Sequence, residues 1–345
     1  MAIRTFPTDR GDTGRRLDLV LRRHLADLDT ATRTRVQAWI EEGAVTINGL
    51  HVRRVSARLA PGDVVTVQIP PAAAGTRPPM ESAHATLDIL FEDEHLLAVS
   101  KPAGLVVHPT HAHTRGTLLN ALLWHGRGWP ATCRPSLVGR LDKLTSGIVL
   151  VAKTAAVHAS LQRSMATPDS EKEYLAVVYG RVNVAAGRID LRLSRDRADR
   201  RKVVASNHAG TESLTRFERL GRVTAPRVGL ALLRCRLITG RTHQIRVHLA
   251  ARGWPIVGDP VYGEPRWSEI VDPELAESLR GFPRQALHAA RLAFVHPVTR
   301  ARLEVNAPLP ADMCALLVTS GLEAAELSRG SGAIHHRVSG VSGAK

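Results

Sequence analysis

Residues 139–153 join a charged loop to an uninterrupted apolar segment, and this feature constrains the fold of the chain most tightly. They read G-R-L-D-K-L-T-S-G-I-V-L-V-A-K. The loop places one carboxylate, Asp142, between Arg140 and Lys143, and residues 148–152 have the length and composition of a buried strand. Functional side chains are commonly presented on loops beside such rigid elements. Asp142 is therefore either a functional carboxylate or an ordinary surface acid in a local ion pair.

The spacing R-L-D-x-x-T-S-G in this stretch resembles the central motif of the RluA family of pseudouridine synthases. The aspartate of that motif is the catalytic residue of the family, so the resemblance implies this role for Asp142. Many members have histidine where this chain has Gly139, and a G-R-L-D form occurs in the related RsuA branch. The resemblance also implies that Arg140 fills the space left when the target base leaves its stack.

Further segments follow the order found in that family. They are residues 101–109 (K-P-A-G-L-V-V-H-P), 172–180 (K-E-Y-L-A-V-V-Y-G), 240–250 (G-R-T-H-Q-I-R-V-H-L-A), 253–263 and 287–294. The resemblance implies that Tyr174 stacks on the target base beside Asp142 and is a candidate proton acceptor. It also implies that Arg246 pairs with Asp142. From the pattern alone, Tyr174 is either a core or a cleft residue, and Arg246 could be a surface charge.

The third of these segments predicts a helix. Thr242 is the expected N-cap, and Ile245 and Leu249 face inward together at a spacing of four residues. His243 and His248 are five residues apart and do not share a helix face well. A zinc site is therefore disfavoured.

Composition points to a polyanionic partner. The 345 residues carry 47 Lys and Arg against 32 Asp and Glu, a net charge of +15. Aromatic residues make up only 4%, which argues against a stacking platform for single strands. The three cysteines are isolated, which disfavours a disulfide framework or a thiolate zinc site and suits a reducing cytoplasm. Neither a signal peptide nor a membrane span is expected.

Residues 14–70 predict a small module of two helices and a hairpin. The second helix begins near Thr32 and ends at Gly43, and Asn48-Gly49 forms the hairpin turn. This pattern resembles the RNA-binding domain first seen in the ribosomal protein S-four, in which the second helix and the following turn contact RNA. The resemblance makes four arginines candidates for RNA contact: Arg33, Arg35, Arg53 and Arg54.

The rest of the chain divides by composition. Residues 1–13 precede the module as an N-terminal extension, residues 71–83 are a linker rich in proline and small residues, and residues 326–345 predict a disordered tail. Residues 84–325 are the expected catalytic domain. The fold class is α+β, and the resemblance implies a mixed, largely antiparallel sheet with the cleft across its middle.

The resemblance, together with the composition, implies a cytoplasmic, monomeric RNA pseudouridine synthase that requires no metal or organic cofactor. Large-subunit ribosomal RNA, or a pre-ribosomal particle, is the expected substrate, because the N-terminal module most often accompanies ribosomal members; transfer RNA is the alternative. A non-catalytic RNA-binding or ribosome-assembly protein would not need Asp142, Tyr174 and Arg246 together. A glycoside hydrolase would pair Asp142 with Asp259, but the basic charge and few aromatic residues disfavour a sugar cleft.

Overall fold

The computed structural model describes residues 2–9, 12–25, 28, 31–69, 85–108, 115–199, 201–224 and 228–322. These residues fall into two compact units, one up to residue 69 and one from residue 85, each with its own hydrophobic core. The predicted linker at 71–83 and the predicted tail at 326–345 lie outside the described residues. Among the described helices, none has the length and apolar character needed to cross a membrane.

The N-terminal unit combines two helices with a four-stranded antiparallel sheet in the order β1-β4-β2-β3. Its elements are β1 (Ala2–Pro7), α1 (Leu17–His24), α2 (Arg33–Glu41), β2 (Val45–Ile47), β3 (Leu50–His51) and β4 (Val64–Ile69). The helices bury apolar side chains such as Leu21 and Ile40 in the core shared with the sheet. Asn48 and Gly49 both have positive φ, at 51° and 82°, as a tight hairpin turn requires. The predicted module is confirmed.

Strand β1 was not anticipated. Residues 1–13 are predicted as an extension outside the module, but β1 pairs with β4 along its whole length, from Ala2 opposite Ile69 to Pro7 opposite Val64. The strand lies at an edge and its side chains are mostly exposed, so no apolar face marks it in the sequence. Backbone pairing and the stacking of Phe6 on His24 hold it in place.

The second unit is built on one mixed sheet flanked by helices. Its strands are β5 (Asp88–Glu92), β6 (Leu96–Lys101), β7 (Ser136–Val138), β8 (Ser146–Ala152), β9 (Glu171–Tyr179), β10 (Ala186–Arg195), β11 (Val203–Ser206), β12 (Thr211–Thr224), β13 (Gly229–Leu237), β14 (Leu287–Val295) and β15 (Arg302–Asn306). Its α-helices are α3 (Leu118–His125), α4 (Ala155–Ser164), α5 (Gln244–Ala251), α6 (Pro273–Gly281) and α7 (Ala311–Thr319).

The strands run in the order β11-β10-β12-β13-β9-β14-β8-β6-β5, with β15 beside β14 and β7 beside β8. Among the pairings between these strands, only that of β14 with β8 is parallel. The predicted α+β class with a mixed, largely antiparallel sheet is therefore confirmed.

Strand β8 anchors the loop that carries Asp142. Every residue of this strand is buried, as the apolar run predicts. Gly147 has a φ of 112°, and a Cβ at this position would collide with the backbone of Ala289 on β14. Only glycine therefore allows the two strands to approach this closely, and the approach fixes the end of the loop against β14.

Helix α5 begins later than the sequence predicts. The residue before its first turn is His243, with a φ of 56°, and not Thr242. The side-chain oxygen of Gln244 accepts hydrogen bonds from the N–H of Arg241 at 3.0 Å and from the hydroxyl of Thr239 at 2.9 Å. A side chain inside the helix thus ties down the preceding loop, so a threonine cap is not needed. The two apolar positions predicted to face inward are buried.

Candidate active site

A cleft of about 710 Å³ opens in the second unit where the loop before β8 meets β9 and the start of α5. Asp142, Tyr174, Arg246 and Arg140 all line it, although they come from three separate segments of the sequence. The Asp142 side chain is 28% exposed, so it remains accessible from the cleft. The structure therefore brings together the predicted catalytic set and Arg140.

Arg246 lies between two carboxylates. Its Nη1 donates to Oδ2 of Asp142 at 2.9 Å, while its Nε and Nη2 donate to the two carboxylate oxygens of Asp259 at 2.7 and 2.8 Å. Burial opposes both buried charges, but Asp259 and Asp142 raise the pKa of Arg246, and Arg246 lowers the pKa of Asp259. Arg246 and Asp259 therefore both stay ionised, and the rigid guanidinium of Arg246 directs one N–H towards Asp142.

Asp259 does not lie where the second carboxylate of a glycoside hydrolase would be. A glycosidase would use it across a scissile bond from Asp142, but its side chain is fully buried and engages a different edge of the Arg246 guanidinium. It also accepts the backbone N–H groups of Val261 and Tyr262 at 2.9 and 3.0 Å. A carboxylate bound in this way positions the arginine and does not face the cleft. Residues 253–263 were identified from the sequence only as a segment in the family's order, and the role of Asp259 in positioning Arg246 was not predicted.

His243 approaches the other oxygen of Asp142, with 3.8 Å between Nε2 and Oδ1. Its Nδ1 lies 2.8 Å from the hydroxyl of Tyr262, which accepts the backbone N–H of Val203 at 2.8 Å. The hydroxyl can therefore donate its proton to Nδ1, and Nε2 is the ring nitrogen that faces Asp142. Burial lowers the pKa of His243 although Asp142 opposes the shift. Sequence reasoning considered this residue only as a metal ligand.

His248 lies apart from the cleft, in the core. Its Nε2 is 2.8 Å from the hydroxyl of Ser213 and its Nδ1 is 2.9 Å from that of Thr215. Burial lowers its pKa to about 4. The two histidines weighed as a zinc pair thus occupy different surroundings, one in the cleft and one between two hydroxyl groups.

Tyr174 is half-buried on β9 and forms part of the cleft wall. Burial, and then the charge of Asp142, raise its pKa well above the usual value for tyrosine. The phenol is therefore neutral at neutral pH. Residues 175–179 are all buried, so the alternation along this strand does not separate a core face from a cleft face.

The loop that carries Asp142 is held by β14 and by the residues just before that strand. Nε2 of Gln285 donates to the hydroxyl of Thr145 at 2.9 Å, and the hydroxyl of Ser146 lies 3.0 Å from Nδ1 of His288. Burial lowers the pKa of His288 to about 4, so its ring is neutral and can accept from the serine. The threonine and serine of the T-S-G sequence therefore anchor the loop.

Lys101 holds the same loop from β6. It is 1% exposed, and its Nζ donates to the carbonyl oxygens of Pro102, Leu105 and Lys143 at 2.8, 3.0 and 3.1 Å. Burial lowers its pKa to about 8. The lysine of the K-P-A-G sequence therefore has a structural role, because it connects the turn that follows it to the loop of Asp142.

The backbone at Gly139 lies in the left-handed region. Its φ is 88°, a conformation that glycine adopts without strain. Arg140 follows it and is exposed along the cleft. The loop therefore presents this side chain to solvent beside Asp142.

The four module arginines lie in the N-terminal unit. Arg33, Arg53 and Arg54 are exposed, whereas Arg35 is half-buried. Nε of Arg33 lies 3.8 Å from the buried carboxylate of Asp18. These residues therefore differ in how freely each could contact an external phosphate.

Known proteins share both units. Residues 95–251 match the family model described as RNA pseudouridylate synthase, and residues 15–65 match the S4 domain. Ribosomal large subunit pseudouridine synthase D of Xylella fastidiosa is 40% identical over 308 residues, covering 89% of each chain. The uncharacterized RNA pseudouridine synthase YlyB of Bacillus subtilis is 40% identical over 291 residues, covering 83% of this chain and 88% of its own.

A solved structure shares the fold. Human RNA pseudouridylate synthase domain containing 1 superposes with a TM-score of 0.52 at 25% identity, covering 68% of this chain and 87% of that chain.

Proposed function

Because the chain belongs to the RNA pseudouridylate synthase family, we propose that it converts uridine to pseudouridine in large-subunit ribosomal RNA, with Asp142 as the catalytic carboxylate. The observation that carries this proposal is the accessible Asp142 held at 2.9 Å by Arg246, which Asp259 keeps in place. The S4 domain and the name of the Xylella relative support the choice of substrate.

The reaction requires a carboxylate that is held in a fixed orientation, in a cleft that is shielded from water. Pseudouridine formation breaks the N1–C1′ bond of uridine, turns the uracil and joins C5 to C1′. C5 loses a proton and N1 gains one, so nothing is oxidised or reduced. Three roles are open to Asp142: attack at C1′, attack at C6, or stabilisation of a transient sugar cation. Each requires an oriented carboxylate, and the hydrogen bond from Arg246 at 2.9 Å provides that orientation.

Tyr174 packs against the target base. A neutral phenol cannot accept a proton as phenolate does, so its raised pKa favours stacking over the role of proton acceptor. Arg140, exposed on the loop of Asp142, occupies the space that the extruded base leaves in the RNA. The reaction is redox-neutral and its catalytic carboxylate is a side chain, so it needs no cofactor; the protein acts as a monomer in the cytoplasm.

The substrate is tested by mapping pseudouridines in ribosomal and transfer RNA from cells with and without the gene. The gene for the wild-type chain should restore a missing site in large-subunit RNA, and the gene for Asp142→Asn should not. A missing site in transfer RNA alone would replace the proposed substrate.

The role of Asp142 is tested with the purified protein and RNA that carries 5-tritiated uridine. Asp142→Asn is nearly isosteric, so RNA affinity should stay within about threefold while tritium release falls by about three orders of magnitude or more. Asp88→Asn, at an exposed position on β5, is the matched control and should release tritium normally. Substantial turnover by Asp142→Asn would remove this residue from the mechanism.

A further inference from the structure

A line of charged residues crosses five strands and begins at the cleft. In the register of the sheet, Arg291 lies opposite Glu173, Glu173 opposite Arg236, Arg236 opposite Arg216, and Arg216 opposite Arg188. Directly opposed residues of antiparallel strands project from the same face. Glu173 and Arg291 line the cleft that contains Asp142. We call Arg188, Arg216 and Arg236 the arginine row.

The row extends well beyond the cleft on an open surface. Three strand spacings separate Glu173 from Arg188, a distance of about 14 Å. Arg188 and Arg216 are exposed, and Arg236 is half-buried. The opposite face of the same strands is covered, since Phe217 and Cys235 are buried in the core.

The two ends of this line differ in how their charge is neutralised. At the cleft, Nη1 of Arg291 lies 2.8 Å from Glu171 and 3.1 Å from Glu173, and Arg236 lies 3.5 Å from Glu171. At the outer end, no carboxylate within the described part of the chain makes an ion pair with Arg188 or Arg216. The outer end is therefore an exposed pair of cations.

Two acidic residues of these strands form ion pairs with other arginines. Glu212 pairs with Arg192 at 2.6 Å, and Glu218 pairs with Arg234 at 2.8 Å. Like charges placed directly opposite each other on neighbouring strands destabilise a sheet. Among the described residues, the fold thus keeps two opposed arginines without an ion-paired carboxylate, which is the arrangement expected where an external anion binds.

We propose that the arginine row binds phosphates of the RNA strand adjacent to the uridine that enters the cleft. This proposal rests on the proposed function, because an RNA base in the cleft requires its flanking backbone to cross a neighbouring surface. Guanidinium groups bind phosphate oxygens with two parallel hydrogen bonds. Phosphate contacts fix the position and direction of a nucleic acid without reading its sequence. The row therefore sets the path of the RNA strand from the active site.

The test compares Arg216→Gln with Arg222→Gln in the full-length chain. Arg222 is exposed on the same strand about 20 Å farther along, so both variants lose one surface charge. The probe is an unmodified transcript of large-subunit ribosomal RNA, titrated across a salt series. Arg216→Gln should weaken binding about three- to tenfold and flatten the slope of log K against log salt by about 0.7 to 0.9. Arg222→Gln should change neither quantity.

Two further readouts separate RNA binding from a structural role. The loss in Arg216→Gln should appear in KM rather than in kcat, and its thermal midpoint should equal or exceed that of the wild type, because a like-charge contact is removed. Arg188→Gln combined with Arg216→Gln should flatten the salt slope by about twice as much. Equal binding by Arg216→Gln and Arg222→Gln would overturn the proposal, as would a fall in thermal midpoint that accounts for the lost affinity.

A failure of the proposed function can be distinguished from a failure of this inference, because the first is detected by RNA modification and the second by RNA affinity. If the wild type leaves the transcript unmodified, the substrate assignment is wrong. The affinity difference between Arg216→Gln and Arg222→Gln still decides whether the row binds RNA phosphates.

Discussion

Arg246 and Arg216 both project from the second unit, but the structure treats their charges in opposite ways. Arg246 is buried between Asp142 and Asp259, whereas Arg216 is exposed opposite Arg188 with no carboxylate partner among the described residues. A buried charge is tolerable only with partners inside the protein. An exposed charge costs little to leave unpaired and remains available to a polyanion. The contrast distinguishes a side chain that orients a catalytic group from one that holds a substrate.

Removing the buried cation should have the largest effect. Arg246→Met leaves Asp142 without its partner and leaves Asp259 as an uncompensated buried carboxylate, a defect that costs about 3–5 kcal/mol of stability. Turnover should fall by about a thousandfold or more. Urea unfolding and single-turnover tritium release measure the two losses.

The matched replacement for this variant is Arg246→Lys, which keeps the charge but not the planar fork. It should recover most of the stability and only part of the rate, because one ammonium group cannot hold both carboxylates in the same geometry. Wild-type turnover by Arg246→Met would show that the observed ion pair has no catalytic role.

Asp259→Asn should give an intermediate effect. The amide oxygen can still accept hydrogen bonds, but its NH₂ group cannot accept from the guanidinium, so the fork of Arg246 loses one of its two contacts to residue 259. We expect kcat to fall about 10- to 100-fold with little change in KM, because Asp259 acts through Arg246 and does not touch the RNA.

The control for this variant is Asp190→Asn, which removes a carboxylate from an exposed position on β10. It should leave kcat unchanged. A rise in KM for Asp259→Asn with no loss of kcat would contradict the positioning role.

Structural features that have a local sequence signal were predicted correctly, whereas features that depend on partners elsewhere in the chain were missed. The apolar run at 148–152 and the turn at Asn48-Gly49 are local signals, and both appear as predicted. The edge strand β1 and the contact of Arg246 with Asp259 depend on partners distant along the chain, so neither leaves a local pattern. The N-cap of α5 differs from the prediction for a local reason, because the side chain of Gln244 ties down the preceding loop in place of the expected threonine.

The catalytic set came from resemblance and not from periodicity. Asp142, Tyr174 and Arg246 lie in three segments whose order matches the family, and the structure places all three along one cleft. The arginine row could not be found in this way, because Arg188, Arg216 and Arg236 are ordinary exposed positions in the sequence. Only the strand register puts them in line.

The smallest expected effects come from the arginines of the N-terminal unit, which extend the comparison to a second exposed surface. Arg54→Gln should weaken RNA binding only a few-fold and flatten the salt slope by about 0.7 to 0.9, because one phosphate contact is lost and neighbouring contacts remain. Arg33→Gln should change the slope less, since its guanidinium already lies 3.8 Å from the carboxylate of Asp18. Combining Arg54→Gln with Arg216→Gln should give additive free-energy changes if the two residues contact separate phosphates. Binding titrations of the single and double variants across a salt series measure this. If Arg54→Gln and Arg33→Gln leave the slope at the wild-type value, these two arginines do not contact phosphate, and other cations of the chain supply the ionic contacts that the titration detects.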